Sequence, residues 1–417
     1  MTVELLSVGT ELLLGNIVNT NANYLSQKCA QLGFSLYYQV TVGDNENRLC
    51  ECIRTAMERS DILILTGGLG PTQDDMTKEA VAKVLNRELI MDEASKEHIT
   101  SYFRFRYQKE VGAVVTENNW KQALTIDGAK IVDNHNGTAP GYIVEAETKA
   151  IILMPGPPNE MIPMFEEAIY PYLEKKQSKI FVSSMVKICG VGESKAETDI
   201  IDLINAQTNP TIAPYAKNGE VHFRVTAAAD TKDKAVSMIG PVVEELYRRF
   251  GDNIYSTREE ETLEEVVVKL LTEKNYTIAT AESCTGGMLT GRLVNVSGVS
   301  SILKEGFITY SNEAKMKYLG VQEDTLAKEG AVSARTAQEM VLGVAKAACS
   351  DTAIAITGIA GPDGGTEEKP VGLVYIACIV KEQVTVKELH LKGNRMKIRD
   401  QSVIAALDLL RRQLICN

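Results

Sequence analysis

The sequence predicts an α/β protein in three parts: two domains on largely parallel sheets and a small α+β module between them. Three observations carry that expectation. Strand-like and helix-like segments alternate over residues 1–172, two helices and a hairpin fill 177–255, and alternation resumes over 257–417. A βαβαβα order needs crossover connections, which lay helices on both faces of a parallel sheet and make it doubly wound. At 417 residues the chain is also too long for one compact core.

Val3 to Val8 is an apolar strand, and Asn19 to Leu32 a helix closed by Gly33. Ser35 to Val42 is the second strand and Glu46 to Ser60 the second helix. Ile62 to Leu65 is a short buried strand ending in Thr66-Gly-Gly-Leu-Gly-Pro-Thr-Gln-Asp-Asp75, followed by a helix from about Met76 to Leu85. After a less regular stretch, Ala150 to Leu153 reads as the last strand, stopped by Met154-Pro-Gly-Pro-Pro158. In the middle module Lys179 to Cys189 is a strand and Ser194 to Ile204 a helix. Thr211 to Tyr215 and Glu220 to Ala228 form a hairpin around Lys217-Asn218-Gly219, before a helix over Lys232 to Phe250. The stretch Gly190-Val-Gly-Glu193 compares with the GxxG of KH domains, but its spacing and charge differ. The module therefore reads as a KH-like spacer or dimerisation element. The run Arg258 to Glu265 reads as the acidic first turn of a helix, where carboxylates suit the helix dipole. Beyond it, Tyr276–Ala281, Gly306–Tyr310, Ala353–Thr357, Gly372–Val380 and Val384–Leu391 are strands. Ala334–Cys349 and Met396–Leu414 are helices, completing a three-layer α/β domain.

Composition excludes several classes. The longest apolar run, Leu373 to Val380, falls far short of the ~20 residues that span a bilayer. The opening MTVELLSVGT has no basic n-region, so a signal peptide is not expected and the protein should stay in the cytoplasm. The 8 cysteines form no CxxC pair, and the 4 histidines show no zinc-site spacing. They read as reduced, small apolar residues. A formal net charge of −11 argues against a duplex-DNA binder, whose affinity comes from cations displacing counterions.

Thr280-Ala-Glu-Ser-Cys-Thr-Gly-Gly287 places a hydroxyl just past a strand, where a helix begins. Free backbone N–H groups at a helix N-terminus can hold an oxyanion or a phosphate, and glycines let a substrate approach the backbone. Ser283 is thus either the helix N-cap or a nucleophile. A nucleophilic serine needs a base. Only His390 lies in this domain, on a strand distant in sequence, whereas Gly306-Phe-Ile-Thr-Tyr-Ser-Asn-Glu-Ala-Lys315 offers a lysine. A free lysine is neutral in only about one molecule in 2,500 at pH 7, so burial would have to depress its pKa.

Glu282-Ser-Cys-Thr-Gly-Gly287, the stretch 306–315 and Gly358-Ile-Ala-Gly-Pro-Asp-Gly-Gly-Thr-Glu-Glu-Lys-Pro-Val-Gly372 together resemble the CinA C-terminal domain, also found alone as the PncC-type nicotinamide-nucleotide amidase. The resemblance implies hydrolysis of nicotinamide mononucleotide to nicotinic acid mononucleotide and ammonia, with Ser283, Lys315 and an assisting Tyr310 as the catalytic residues. On that reading Ser283 attacks the amide carbon, Lys315 takes its proton, and Tyr310 relays a proton or steadies the lysine. Backbone N–H groups near Thr285, Gly286 and Gly287 are the oxyanion candidates. A loop with Gly358, Ala360 and Gly361 wraps the nucleotide. Arg399, with Arg395 next, contacts the phosphate, and Ser300 lines the site. Cys284 is expected to pack, and no cofactor is needed.

The turn at 66–75 follows a buried strand and opens a helix, a placement that presents amides to a phosphate. Asp74 and Asp75 are either metal ligands or helix caps. With Ser7-Val-Gly-Thr-Glu11 and Met154-Pro-Gly-Pro-Pro-Asn-Glu160, the turn resembles the CinA N-terminal domain, of the MoaB-like, molybdopterin-binding superfamily. The resemblance implies metal-dependent hydrolysis of ADP-ribose to AMP and ribose 5-phosphate, with cobalt or magnesium and potassium. A bound pterin phosphate suits the same residues. Carried over as contacts are Gly9, Thr10, Glu11, Asp44, Gly67, Gly68, Gly70, Thr72 and Asp75, with Asp74, Asp75 and Glu160 as metal ligands. A homodimer is the family expectation, with nicotinamide mononucleotide and ADP-ribose as its small-molecule partners; no membrane partner is expected, and the acidic charge speaks against the nucleic-acid contact that the family's name suggests.

Overall fold

The computed structural model describes residues 1–106 and 115–416. They form two compact units: Met1–Val182 with Ala228–Ala235, and Ser183–Ala227 with the chain from Val236 onward. The class is α/β, with parallel strands in both large sheets.

In the first unit the strands are β1 (Thr2–Val8), β2 (Ser35–Val42), β3 (Ile62–Thr66), β4 (Leu89–Met91), β5 (Leu124–Ile126), β6 (Lys130–Val132), β7 (Gly141–Ala146) and β8 (Lys149–Met154). A six-stranded sheet runs β2-β1-β3-β8-β7-β6, and β4 and β5 pair separately. Leu5, Ile64 and Ile152 share one register row and enter one core with the helix Thr20–Gln31. The next row, Leu6, Leu65 and Leu153, enters the opposite core with the helix Glu46–Arg59. Both faces are therefore covered, and β1 and β3 meet where the strand order reverses. Doubly wound sheets open a ligand crevice at the carboxyl ends of such strands.

One expectation is met and another changes here. The strand at 149–154 is last in sequence but central in space, parallel to β3. The stretch read as irregular supplies the helix Glu93–Arg106 and the antiparallel strands β6 and β7. Tyr142, Ile143 and Val144 are all buried, so β7 lacks the alternation that would have revealed it.

The middle strands β9 (Ile180–Cys189), β10 (Thr211–Lys217), β11 (Glu220–Ala229) and β12 (Ile254–Ser256) form a sheet in the order β10-β11-β9-β12. The single helix expected from Ser194 is two, Glu193–Thr198 and Ile201–Ala206. Arg249 takes the Asp199 carbonyl at the break (2.7 Å). The acidic run is also displaced: its helix starts at Leu263 behind a Thr262/Glu265 capping box. The carbonyls of Glu259 and Glu261 instead accept from the buried Lys187 at 2.6 and 2.7 Å.

The C-terminal sheet holds β13 (Ile278–Glu282), β14 (Leu303–Ile308), β15 (Thr352–Gly358), β16 (Leu373–Val380) and β17 (Gln383–His390), in the order β14-β13-β15-β16-β17. The first three are parallel, the last two antiparallel. Ala279, Ala281, Ala353 and Ala355 face the helix Ala334–Ala348, and their small side chains let it lie close. Ile278, Ile354 and Ile356 face Leu407, Leu410 and Leu414 of the helix Arg395–Cys416. The register sets Glu282 beside Ile308 and Ile356, so the residues after β13 and β14 emerge together at one sheet edge. Among the described residues no helix is long and apolar enough to cross a membrane.

Candidate active site

At that edge Ser283 follows β13, its N–H held by Ile356 O (3.0 Å), and its side chain is 8% exposed. Lys315 reaches it from the helix Asn312–Leu319, which the Ser311 hydroxyl caps. The lysine is 1% exposed, with Nζ 3.0 Å from Ser283 Oγ. Nζ also contacts the carbonyls of Thr309 (2.9 Å) and Tyr310 (3.3 Å). Carbonyls only accept, so a neutral amine places its two N–H bonds on them and leaves its lone pair for the serine hydroxyl. Burial lowers the lysine pKa, against a lesser opposing effect of Cys284, and no carboxylate contributes. The same burial pushes the Cys284 thiol up to about 11, which keeps it protonated near neutrality.

Ser283 does not cap the following helix. The helix Met288–Val294 begins after Gly287, and its cap is the fully buried Glu282 carboxylate. Glu282 accepts from the N–H groups of Gly287 (3.0 Å), Leu289 (3.0 Å) and Thr290 (2.9 Å), and from the Thr290 hydroxyl (2.7 Å). Two of the expected oxyanion donors are thereby occupied: Gly287 N–H by Glu282, and Gly286 N–H by Ser283 O (3.1 Å). Gly286 and Gly287 take φ values of 59° and 94°, which favour glycine. Sequence reading had no signal for Glu282, because its partners lie up to eight residues onward.

Tyr310 is exposed, and its phenol accepts from Arg395 Nη2 (3.2 Å). It steadies the lysine through its carbonyl, not through the ring. Arg395 also donates to Gly361 O (2.7 Å), tying the glycine loop to the end of β14. Arg399 grips the carbonyls of Cys284 (3.0 Å) and Thr285 (2.7 Å). Gly358 ends β15, where a Cβ would lie 2.9 Å from Leu373 O, and Ala360 packs into the apolar core instead of facing a ligand. Ser300 is misplaced by the sequence reading. It sits in the turn Val299–Ser301 before β14, and six extended residues, about 20 Å, carry the chain from there to the edge that holds Ser283 and Lys315. Thr285 and Thr309, not singled out as side chains, each bury a hydroxyl without a partner.

In the first unit Gly9, Glu11, Asp44, Gly67, Gly68, Gly70, Asp74, Asp75 and Glu160 line one cavity of about 440 Å³. Gly67 has φ 96°, and a Cβ there would meet Val8 O at 2.2 Å, so the β3 turn must be bare to pack on β1. Thr10 and Thr72 are ties, not lining. Thr10 donates its N–H (2.9 Å) and hydroxyl (2.7 Å) to Asp44, and Thr72 donates its N–H to Asp75 (2.9 Å). The Thr72 hydroxyl also bonds Asp74 and holds that exposed carboxyl below its usual range. Glu160 accepts from Asn134 (2.7 Å), and burial raises its pKa. Gln122, missed from sequence, lines the cavity with a buried, unpartnered Oε1. Among the described residues no three carboxylate, imidazole or thiol groups gather to hold a metal ion. The expected trio Asp74, Asp75 and Glu160 is thus not a ready-made resident site.

Residues 260–414 match the profile of the CinA C-terminal domain, 183–256 the damage-inducible protein CinA KH domain, and 4–175 the probable molybdopterin binding domain. A putative competence-damage inducible protein of Clostridium beijerinckii is 54% identical over 415 residues, covering 100% of each chain. A CinA-like protein of Kosmotoga olearia is 51% identical, covering 100% of this chain and 99% of its own. Among solved structures, the competence/damage inducible protein CihA from Agrobacterium tumefaciens shares 40% identity, with 37% of this chain and 93% of that chain covered and a TM-score of 0.36.

Proposed function

The chain belongs to the CinA family, and we propose that its C-terminal domain deamidates nicotinamide mononucleotide through Ser283 and Lys315. The contact of 3.0 Å between a buried amine and a strand-end serine carries this reading. Lys315 removes the hydroxyl proton as Ser283 attacks the carboxamide carbon, and the resulting ammonium protonates the departing nitrogen, releasing ammonia. The neutral amine then activates water against the acyl-serine, freeing nicotinic acid mononucleotide. Arg395 and the loop from Gly358 support binding of the nucleotide, and Arg395 keeps N–H groups for a phosphate beyond those already engaged. The test is ammonia release from nicotinamide mononucleotide by the full-length protein, lost in Ser283→Ala. Equal release by that variant refutes the reading.

For the N-terminal domain the proposed reaction is hydrolysis of ADP-ribose to AMP and ribose 5-phosphate, with a divalent metal and potassium. A divalent ion would supply charge neutralisation at the pyrophosphate. The cavity suits one carried in by the substrate, since hard cations bind through one or two carboxylates plus phosphate oxygens, and Asp44, Asp74, Asp75 and Glu160 offer such oxygens. That no three ligating groups gather among the described residues favours a second reading, a non-catalytic nucleotide- or pterin-binding sensor. AMP formed from ADP-ribose and cobalt by the Ser283→Ala protein supports the first; binding without turnover supports the second. The proposal includes a cytoplasmic homodimer whose ligands are soluble nucleotides.

A further inference from the structure

We propose that the oxyanion of the acyl-transfer step is held by the N–H groups of Cys284 and Thr285, with Arg399 and Glu282 as the positioning residues that aim them. This rests on the amidase reading above and assigns parts of the site that the reading leaves open.

The N–H groups around the nucleophile can be followed one by one. Ser283 N–H goes to Ile356 O, Gly286 N–H to Ser283 O, and those of Gly287, Leu289 and Thr290 to Glu282. That of Thr285 donates to nothing among the described hydrogen bonds, and that of Cys284 meets only its own thiol, which a rotation about χ1 removes. They are the first two donors after the attacking residue, where a tetrahedral oxyanion forms. Their direction is set through their own peptide planes. In a trans peptide the C=O and the following N–H point opposite ways. Ser283 O is fixed by Gly286 N–H at 3.1 Å, which turns Cys284 N–H to the other side. Cys284 O is fixed by Arg399 Nε at 3.0 Å, which does the same for Thr285 N–H, and Arg399 Nη2 pins the next carbonyl. Glu282 closes the far end of the turn by holding Gly287. Its full burial and four donors leave that carboxylate no room to act on substrate.

The test uses the full-length protein with Arg399→Lys, Glu282→Gln and the double substitution. Lysine lacks the rigid planar fork with which the guanidinium fixes two successive carbonyls, and a glutamine amide cannot accept where the second carboxylate oxygen did. Deamidation should lose kcat roughly a hundredfold in each single variant with KM within about twofold, because an oxyanion donor acts in the transition state. The double variant should fall little further, since both residues hold one turn. The midpoint of the pH profile should stay in place, because the contacts of Lys315 are untouched. A raised KM with kcat preserved in Arg399→Lys would assign that residue to substrate binding and overturn the inference, as would fully additive losses. Should Glu282→Gln not fold, Arg399→Lys decides alone. Labelling of Ser283 by a fluorophosphonate separates the two levels. A wild-type protein that labels without deamidating defeats the amidase reading, yet slower labelling of Arg399→Lys would still uphold the turn. A wild-type protein that neither labels nor deamidates defeats both.

Discussion

Lys315→Met removes the amine while roughly keeping the length of the side chain. Three contacts go at once: the hydroxyl of Ser283 and the carbonyls of Thr309 and Tyr310. Loss of a general base lowers a rate by about 10²–10⁴, or about 3–5 kcal/mol of barrier. The effect on stability is smaller because two terms oppose. Thr309 is 1% exposed, and stranding its carbonyl costs about 1–3 kcal/mol, whereas the exposed Tyr310 can turn to water. Methionine, in return, brings no amine to be desolvated, and desolvation is the main cause of the depressed lysine pKa. A net change within about 2 kcal/mol corresponds to a shift of several degrees in Tm for a domain of this size. Ammonia release from nicotinamide mononucleotide, coupled to glutamate dehydrogenase, reads the first quantity, and thermal unfolding by circular dichroism reads the second. A folded Lys315→Met protein with kcat within tenfold of the parent would refute the role given to the amine.

Because burial lowers the Lys315 pKa, kcat should rise with pH along a limb whose midpoint lies below the ordinary lysine value of 10.5. Stability should follow the same sense: the penalty for a buried ammonium is full below the folded pKa and fades as pH climbs towards 10.5. A limb with its midpoint at or above 10.5 would contradict this. Tyr310→Phe should lower kcat by no more than about threefold, since its phenol bonds Arg395 and its carbonyl survives the change; a hundredfold loss would restore the ring as a proton relay. Cys284→Ala should keep turnover, and iodoacetamide at pH 7 should leave Cys284 unmodified, because burial pushes its thiol up to about 11. Gly67→Ala should destabilise the N-terminal unit by at least about 2 kcal/mol, since a Cβ would strike Val8 O at 2.2 Å with φ at 96°. An unchanged unfolding curve would show that β1 and the turn can part without loss.

Local rules reached far into this molecule. The first three N-terminal strands and their helices were readable because apolar runs of four to eight residues end in glycine or polar turns. The strand β7 escaped for the opposite reason: both its faces are buried, and it lacks a period. Ser300 was placed at the site as part of the loop between helix and strand, yet the parallel direction of β13 and β14 puts it at the wrong end of the sheet. Tyr310 was named correctly as a neighbour of the lysine, but which of its atoms touches the amine depends on a χ angle and on Arg395, 85 residues away.

What the sequence by itself determined is the order of most strands and helices, the family, and the chemical types available: a serine past a strand, a lysine after the next one, glycines where the backbone must be bare. Those follow from periodicity and from residue chemistry, which are local. Only the tertiary structure decided which of them meet. Parallel pairing of β13 with β14 brings residues 283 and 315 within 3.0 Å. Burial at that edge, not any neighbour in sequence, lowers the pKa of the amine. A carboxylate that looked like one acid among 55 acts as the helix cap because the chain folds back over it. Proton transfer and hydrogen bonding act over about 3 Å, and separation along the chain carries no information at that scale.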